Sequence, residues 1–339
     1  MNKFLPLTSC LLLSFSVLLT AQEDKATPPG LGDPGALQSI DIDNVDDNQT
    51  TIISGRDAGL QVIVTGNYDS GQHRDLTRDV VYSSAPTGFV EVSSSGFVSP
   101  IAEGAVVITA KFDGKLSTTV SIQVTNIVKD LAVNFPNEVT PVFTKFGCNG
   151  GGCHGKSSGQ NGFRLSLLGF EPEEDYEFLV KEGRGRRVFP AAPERSLLLQ
   201  KAVGVVPHGG GARLSGDSPS YRLLSRWIEQ GMPYGQPEDP TVTRIVVLPE
   251  ERLMQRDGAQ QISVFAYFSD GSMRDVTRTT AFDSNSTEMA EVNETGLVTT
   301  SQLTGSVAVM ARYQGHVGVY RATIPLGIKV DALPKKNNF

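Results

Sequence analysis

An internal repeat constrains this chain more than any other feature. Arg74-Asp75-Leu76-Thr77-Arg78 stands 200 positions ahead of Arg274-Asp275-Val276-Thr277-Arg278. At the same offset Glu91-Val92 and Gly96-Phe97-Val98 return as Glu291-Val292 and Gly296-Leu297-Val298. Lys111-Phe112-Asp113-Gly114 returns one residue later, as Arg312-Tyr313-Gln314-Gly315. So many landmarks at one spacing mean two copies of one unit. The units read as β structure. Gln61-Val62-Ile63-Val64-Thr65 alternates with period two, and Ala105 to Ala110 and Thr118 to Val124 are further strand signals. Turn residues such as Asp69-Ser70-Gly71, Ser95-Gly96 and Asp113-Gly114 separate them. Short strands at this spacing predict β-sandwiches, over 37–126 and 241–328. The Arg-Asp-x-Thr-Arg charges read as a solvated turn with a local salt bridge.

Between the copies the apolar spacing becomes helical. Val139, Val142, Phe143 and Phe146 share one helix face. Glu171-Pro172 opens a second helical stretch that runs through Val180. A third has Asp217 or Ser218 as its cap, Pro219 in its first turn, Leu223, Leu224, Trp227 and Ile228 as its apolar face, and Gly231 to close it. This predicts a small, mainly α segment over 134–238.

The ends set the compartment. Lys3, the apolar run Leu11 to Leu19 and the small Ala21 have the layout of a signal peptide over 1–21. Residues 22–36 are polar and rich in Pro and Gly, and read as a flexible linker; 329–339 read as a tail. The chain is therefore expected to be exported, to the periplasm, the cell surface or beyond. After signal cleavage no segment is apolar enough to span a membrane. The formal net charge of −7, with no basic stripe, argues against nucleic acid as a partner.

Cys10 leaves with the signal peptide, which leaves Cys148 and Cys153, with His154 directly after. In an exported protein such a pair commonly forms a disulfide. A pair ending in Cys-His also reads as covalent haem attachment, with the thiols on the two vinyl groups and His154 as the proximal iron ligand. Four residues separate the cysteines where haem attachment usually has two, and three of the four are glycine. Glycine lets so short a loop fold back at least steric cost.

Two resemblances extend this reading. The β units resemble the bacterial immunoglobulin-like group 2 family, through Asp270-Gly271 to Thr277, Gly296-Leu297-Val298 and Gly305 to Ala311; the first copy has Ser70-Gly71 at the turn. Members serve as spacers, adhesion modules or carbohydrate-associated modules. The middle segment resembles the cytochrome c-like domain of large exported planctomycete proteins. The likeness rests on Cys148 to Gly155, Gly162-Phe163-Arg164-Leu165-Ser166-Leu167-Leu168-Gly169, Arg186-Arg187 through Pro190 and Pro193 to Leu199, Pro207-His208-Gly209-Gly210-Gly211-Ala212-Arg213, and Tyr221 through Trp227-Ile228 to Gly231.

The fold this implies is multidomain: two all-β immunoglobulin-like sandwiches flanking a small, mainly α cytochrome c-like domain. It implies one covalent haem c on Cys148 and Cys153, with iron held by His154 and distally by His208, or alternatively by Met232. Arg186, Arg187 and Arg213 would pair with the propionates. The role would be electron transfer with an unknown redox partner, and no enzymatic activity of the chain's own. Two further large domains commonly follow the second β unit in that family, so the resemblance implies a naturally short form, a split gene or a truncated reading frame, which would lack any activity those domains carry. Other readings stay open. A Cys148–Cys153 disulfide without haem would leave a structural or adhesion surface protein, with cell-surface polysaccharide as a candidate partner. The types of Cys148, Cys153, His154 and His208 also suit zinc. Nothing in the sequence supports a hydrolase: it has no nucleophile elbow, no paired acid motif and no His-Glu-x-x-His.

Overall fold

The computed structural model describes residues 29–45 and 50–328, so the expected signal peptide, the start of the linker and the tail lie outside the described residues. The first repeat copy has ten strands: β1 (Leu37–Ile42), β2 (Thr51–Ser54), β3 (Leu60–Gln61), β4 (Val64–Tyr68), β5 (His73–Asp75), β6 (Val81–Ala85), β7 (Val90–Val92), β8 (Phe97–Pro100), β9 (Gly104–Phe112) and β10 (Leu116–Thr125). The second has β11 (Val242–Leu248), β12 (Glu251–Leu253), β13 (Ala259–Gln261), β14 (Ser263–Phe268), β15 (Met273–Asp275), β16 (Ala281–Ser284), β17 (Ala290–Val292), β18 (Leu297–Thr300), β19 (Gly305–Tyr313) and β20 (His316–Ile324).

The copies share one topology. The first has sheets β1-β4-β5, β2-β10-β9-β6 and β3-β8-β7; the second has β11-β14-β15, β12-β20-β19-β16 and β13-β18-β17. Period-two alternation drives the packing. Val106, Ile108 and Ala110 of β9 face inward beside Val120, Ile122 and Val124 of β10, with Ile108 registered on Val120. Burying such a side chain contributes about 1.5–3 kcal/mol. The expected immunoglobulin-like sandwich needs correcting here. Each copy divides its strands among three small sheets rather than two, and β2 and β12 add to β10 and β20 in parallel.

The solvated-turn reading of Arg-Asp-x-Thr-Arg is also corrected. The motif does build a turn: Asp75 Oδ1 accepts the Thr77 N–H at 2.8 Å, and Thr77 Oγ1 accepts the Val64 N–H at 3.0 Å. Asp275, Thr277 and Val264 repeat this at 2.8 Å each. Both threonines are fully buried. The other carboxylate oxygens cross between copies. Gln61 N–H donates to Asp275 Oδ2 at 2.6 Å, and Gln261 N–H to Asp75 Oδ2 at 2.5 Å. Arg78 donates to Gln261 Oε1 at 2.8 Å, and Arg278 to Gln61 Oε1 at 3.1 Å. The two copies therefore meet about an approximate two-fold axis through equivalent residues. Each motif's acceptors are used by the other copy, which local sequence does not reveal.

The segment joining the copies holds four short helices: α1 (Thr140–Lys145), α2 (Pro172–Tyr176), α3 (Leu197–Ala202) and α4 (Pro219–Glu229). A π turn over Phe135–Val139 precedes α1, and α2 runs into another over Glu177–Lys181. Strand is the commonest regular structure of the described chain, and this segment is as much loop and tight turn as helix. The expected small, mainly α cytochrome c-like domain is not formed. Left-handed backbone at Gly147, Gly204 and Gly231 follows the ends of α1, α3 and α4, and right-handed helix cannot continue through it.

An aromatic cluster holds the segment together. Trp227 is fully buried 5.4 Å from Phe135, which also packs against Tyr176 and Tyr234. The Trp227 indole N–H donates to Pro233 O at 2.9 Å. The segment sits on the second copy. Tyr313 Oη donates to Asn137 O at 2.7 Å, and Lys145 Nζ donates to Arg278 O and Glu294 O, each at 2.7 Å. Burial pushes the Lys145 ammonium down to about 8, against the pull of Glu294.

Candidate functional site: a cavity lined by thiols and imidazoles

The Cys148 to Gly155 loop is tightly wound. Cys148 N–H donates to Phe143 O at 2.8 Å, which hangs the loop from the end of α1. Cys153 N–H donates to Gly150 O and His154 N–H to Cys148 O, each at 2.9 Å. That fold-back brings both cysteines to the lining of one cavity of about 490 Å³. The glycine requirement lies elsewhere than the sequence suggests. None of Gly150, Gly151 and Gly152 has left-handed backbone. A Cβ on Gly155, by contrast, would sit 1.9 Å from Asn149 O, and Gly147 turns with φ +70°. Buried Asn149 braces the loop by donating from Nδ2 to Thr144 Oγ1 at 2.9 Å, while its Oδ1 has no partner.

His154 and His208 reach the same cavity from loops about fifty residues apart. Their rings lie nearly parallel, with centroids 6.1 Å apart. In each, Nδ1 is against a backbone carbonyl at 3.0 Å: Phe163 O for His154 and Gly211 O for His208. Burial depresses the His154 pKa, partly offset by the Phe163 carbonyl, so this imidazole is neutral at pH 7. Burial likewise pushes the Cys148 thiol up to about 11, with Arg213 opposing, so Cys148 stays protonated.

The expected arginines divide. Arg186 and Arg213 are exposed at the cavity edge, Arg213 with Nη2 4.0 Å from Cys153 Sγ. Arg187 is buried and committed to the fold. It donates to Phe178 O, Glu182 O and Gly162 O, and its guanidinium lies 4.7 Å from the Phe163 ring centre. Met232 packs into the aromatic core, where its carbonyl accepts the Tyr176 hydroxyl at 2.7 Å; it does not line the cavity. Sequence reading missed Lys201. It lines the cavity from α3 and donates to Pro207 O at 2.9 Å, bracing the loop that carries His208. Its place on a short helix beside that loop leaves no motif to find.

No family model matches this chain. It is 23% identical over 256 residues to Ice-binding protein 1 of Shewanella frigidimarina, a match covering 74% of this chain and 25% of that protein. The chain thus spans about a quarter of that relative's length. Similar solved structures include the surface layer protein SbsC, domains 4–9 (12% identity, TM-score 0.32, 85% of this chain and 31% of that one) and domains 5–6 (13%, 0.31, 85% and 98%).

These findings correct the haem reading. Among the described residues no group of three or more His, Cys, Asp or Glu side chains could hold a metal ion. The segment is not a helical haem fold, and the curated relative is named for ice binding rather than for haem. The planctomycete cytochrome resemblance, covalent haem c, the iron-ligand roles of His154, His208 and Met232, and the electron-transfer role fall together. Shared lining of one cavity is what remains of the motif. Among the described residues no helix is long and apolar enough to cross a membrane.

Proposed function

We propose that this chain is a non-haem structural module of an exported surface protein. In this reading its two β units act as a rigid spacer, and Cys148 and Cys153 form a disulfide that fixes the cavity-side loop. The observation that carries the reading is the reciprocal joining of the two repeat copies through Asp75 and Asp275, which makes one stiff body of two modules. Two further facts support it. The matched stretch takes in 74% of this chain and only a quarter of the relative, so in that protein it is one part of a longer chain. Both cysteines, free thiols in this structure, line one cavity on a single loop closed by backbone hydrogen bonds. The compartment implied by the signal-like N-terminus favours the oxidised pair.

The test is the intact mass of protein exported from a bacterial host, with and without reduction. The expected mass is two hydrogens below that of the reduced chain, with no alkylation until reductant is added. Two thiols that alkylate freely in the unreduced exported protein would overturn the disulfide.

A second reading adds a binding role, and one surface favours it. The outward face of the β2-β10-β9-β6 sheet carries Ser83, Thr109 and Thr119 in one registered row, flanked by Ser117, Ser121 and Val107. Lys111 is the sole charged residue in those four strands. The equivalent strands of the second copy carry Glu251, Asp283, Arg312 and Arg321. A flat, hydroxyl-bearing, nearly uncharged face suits an uncharged ordered surface, such as neutral polysaccharide or ice. Thr109→Lys with Thr119→Lys would abolish retention on insoluble polysaccharide, or inhibition of ice recrystallisation. Wild-type protein without either activity would sink this role and leave the spacer reading intact.

A further inference from the structure

Charge is sorted unevenly around the cavity beside the cysteine loop. The whole chain carries 37 acidic residues against 30 basic ones. Yet the described residues that line this cavity include Arg186, Arg187, Lys201 and Arg213 and not one Asp or Glu. Arg187 is already used, by three backbone carbonyls, the Phe163 ring and Glu182 at 3.6 Å. The other three differ. Among the described residues, Arg186, Lys201 and Arg213 belong to no ion pair. They also come from separate parts of the segment. Arg186 follows the tight turn over Glu182–Gly185, Lys201 stands on α3, and Arg213 ends the loop that carries His208. Lys201 gives one ammonium hydrogen to Pro207 O and has two more to offer. The floor has the opposite character. Val142, Phe143, Leu165 and Leu224 line it from the buried core of the segment.

We propose that this cavity is a reversible binding site for a small amphipathic anion, one apolar ring system or short hydrocarbon body carrying a carboxylate or similar anionic head. The body lies on the apolar floor, and the head meets Arg186, Lys201 and Arg213 at the edge. A space of about 490 Å³ is the size of a small-molecule site. Each half of such a ligand has a separate role. Removing hydrocarbon from water supplies affinity. The cations supply selectivity, because a hydrogen bond between a guanidinium or ammonium group and an anion is stronger than one between neutral groups. Other classes fit less well. A cationic ligand meets like charges with no acid to offset them. A neutral apolar ligand covers the floor and leaves the three cations without a partner. A sugar sets its hydroxyls against hydrocarbon, where they lose their hydrogen bonds to water.

The site needs no bond to either cysteine and no stiffness between the modules, so it stands or falls separately from the spacer reading. The experiment is a fluorescence titration of the full chain with two probes that share their rings. Anilinonaphthalene sulfonate carries an anionic group, and phenylnaphthylamine does not. One equivalent of the sulfonate is expected to bind, on the order of tenfold more tightly than the neutral probe. Arg186→Gln together with Arg213→Gln should erase that difference by weakening the sulfonate alone. Ala202→Phe brings a ring to the cavity wall from α3 and should weaken both probes. Equal affinity of the wild-type chain for the two probes would overturn the proposal, as would no binding of the sulfonate. Sulfonate binding that survives the arginine pair, or Ala202→Phe, at full strength would place the probe elsewhere and overturn it too. Should Ala202→Phe fail to fold, the two arginine substitutions, both of exposed side chains, decide alone. The disulfide is read by intact mass, so the failure of either idea leaves the other standing.

Discussion

Trp227 shows how one side chain organises the segment between the repeats. It is fully sealed, packs at a tilt against Phe135 and gives its indole N–H to the Pro233 carbonyl. Trp227→Ala removes the ring and leaves a cavity, so we expect a loss of about 3–5 kcal/mol in denaturant unfolding. Asp175 sets a different test. It accepts both the Ser166 hydroxyl, at 2.8 Å, and the Ser166 N–H, and burial raises it to about 6 against those bonds. Its stabilising share is complete below its ordinary value and is lost as the pH rises through about 6. Asp175→Asn should therefore flatten the decline in stability between pH 4 and 7. An unchanged slope in thermal melts would show that another group is responsible. The residue scale also shows a limit of motif reading. Glycines between two cysteines suggest a strained loop, yet the tight approach is at Gly155, outside the pair.

At the scale of elements, α4 is the part of the middle segment that sequence describes best. Ser218 Oγ accepts the Tyr221 N–H at 3.2 Å, Pro219 occupies the first turn, and Leu223, Leu224, Trp227 and Ile228 are all buried. Ser218→Ala leaves a helix-end N–H without its acceptor and should cost about 1 kcal/mol, read as a lower unfolding midpoint with an unchanged slope. The first helix was only partly legible. Val139, Val142 and Phe143 are buried as their spacing implies, but Val139 belongs to a π turn and α1 ends at Lys145. Local periodicity reports which face is buried. It does not report that Pro136 and Pro141 fall where the chain changes its winding, nor that Asn137 must meet Tyr313 of another element.

At the scale of the whole molecule, contacts between elements far apart in sequence decide the assembly. Lys145 joins α1 to two carbonyls of the second β unit. Lys145→Met leaves both without that donor and should lower stability by roughly 1–3 kcal/mol. If stability falls by less than a few tenths of a kcal/mol, solvent has replaced those bonds. The sequence by itself determined the repeat, the alternating strands and their buried faces, and the apolar face of α4. These are local, because side-chain direction follows from a period of two or 3.6 residues. Tertiary structure alone decided three things. It joined the two Arg-Asp-x-Thr-Arg turns across the module interface rather than leaving them in solvent. It gathered Cys148, Cys153, His154 and His208 around one cavity without forming a cytochrome fold. It committed Arg187 to backbone carbonyls. Each depends on donors and acceptors supplied by residues remote in sequence, and a buried polar group takes its role from the partner it meets.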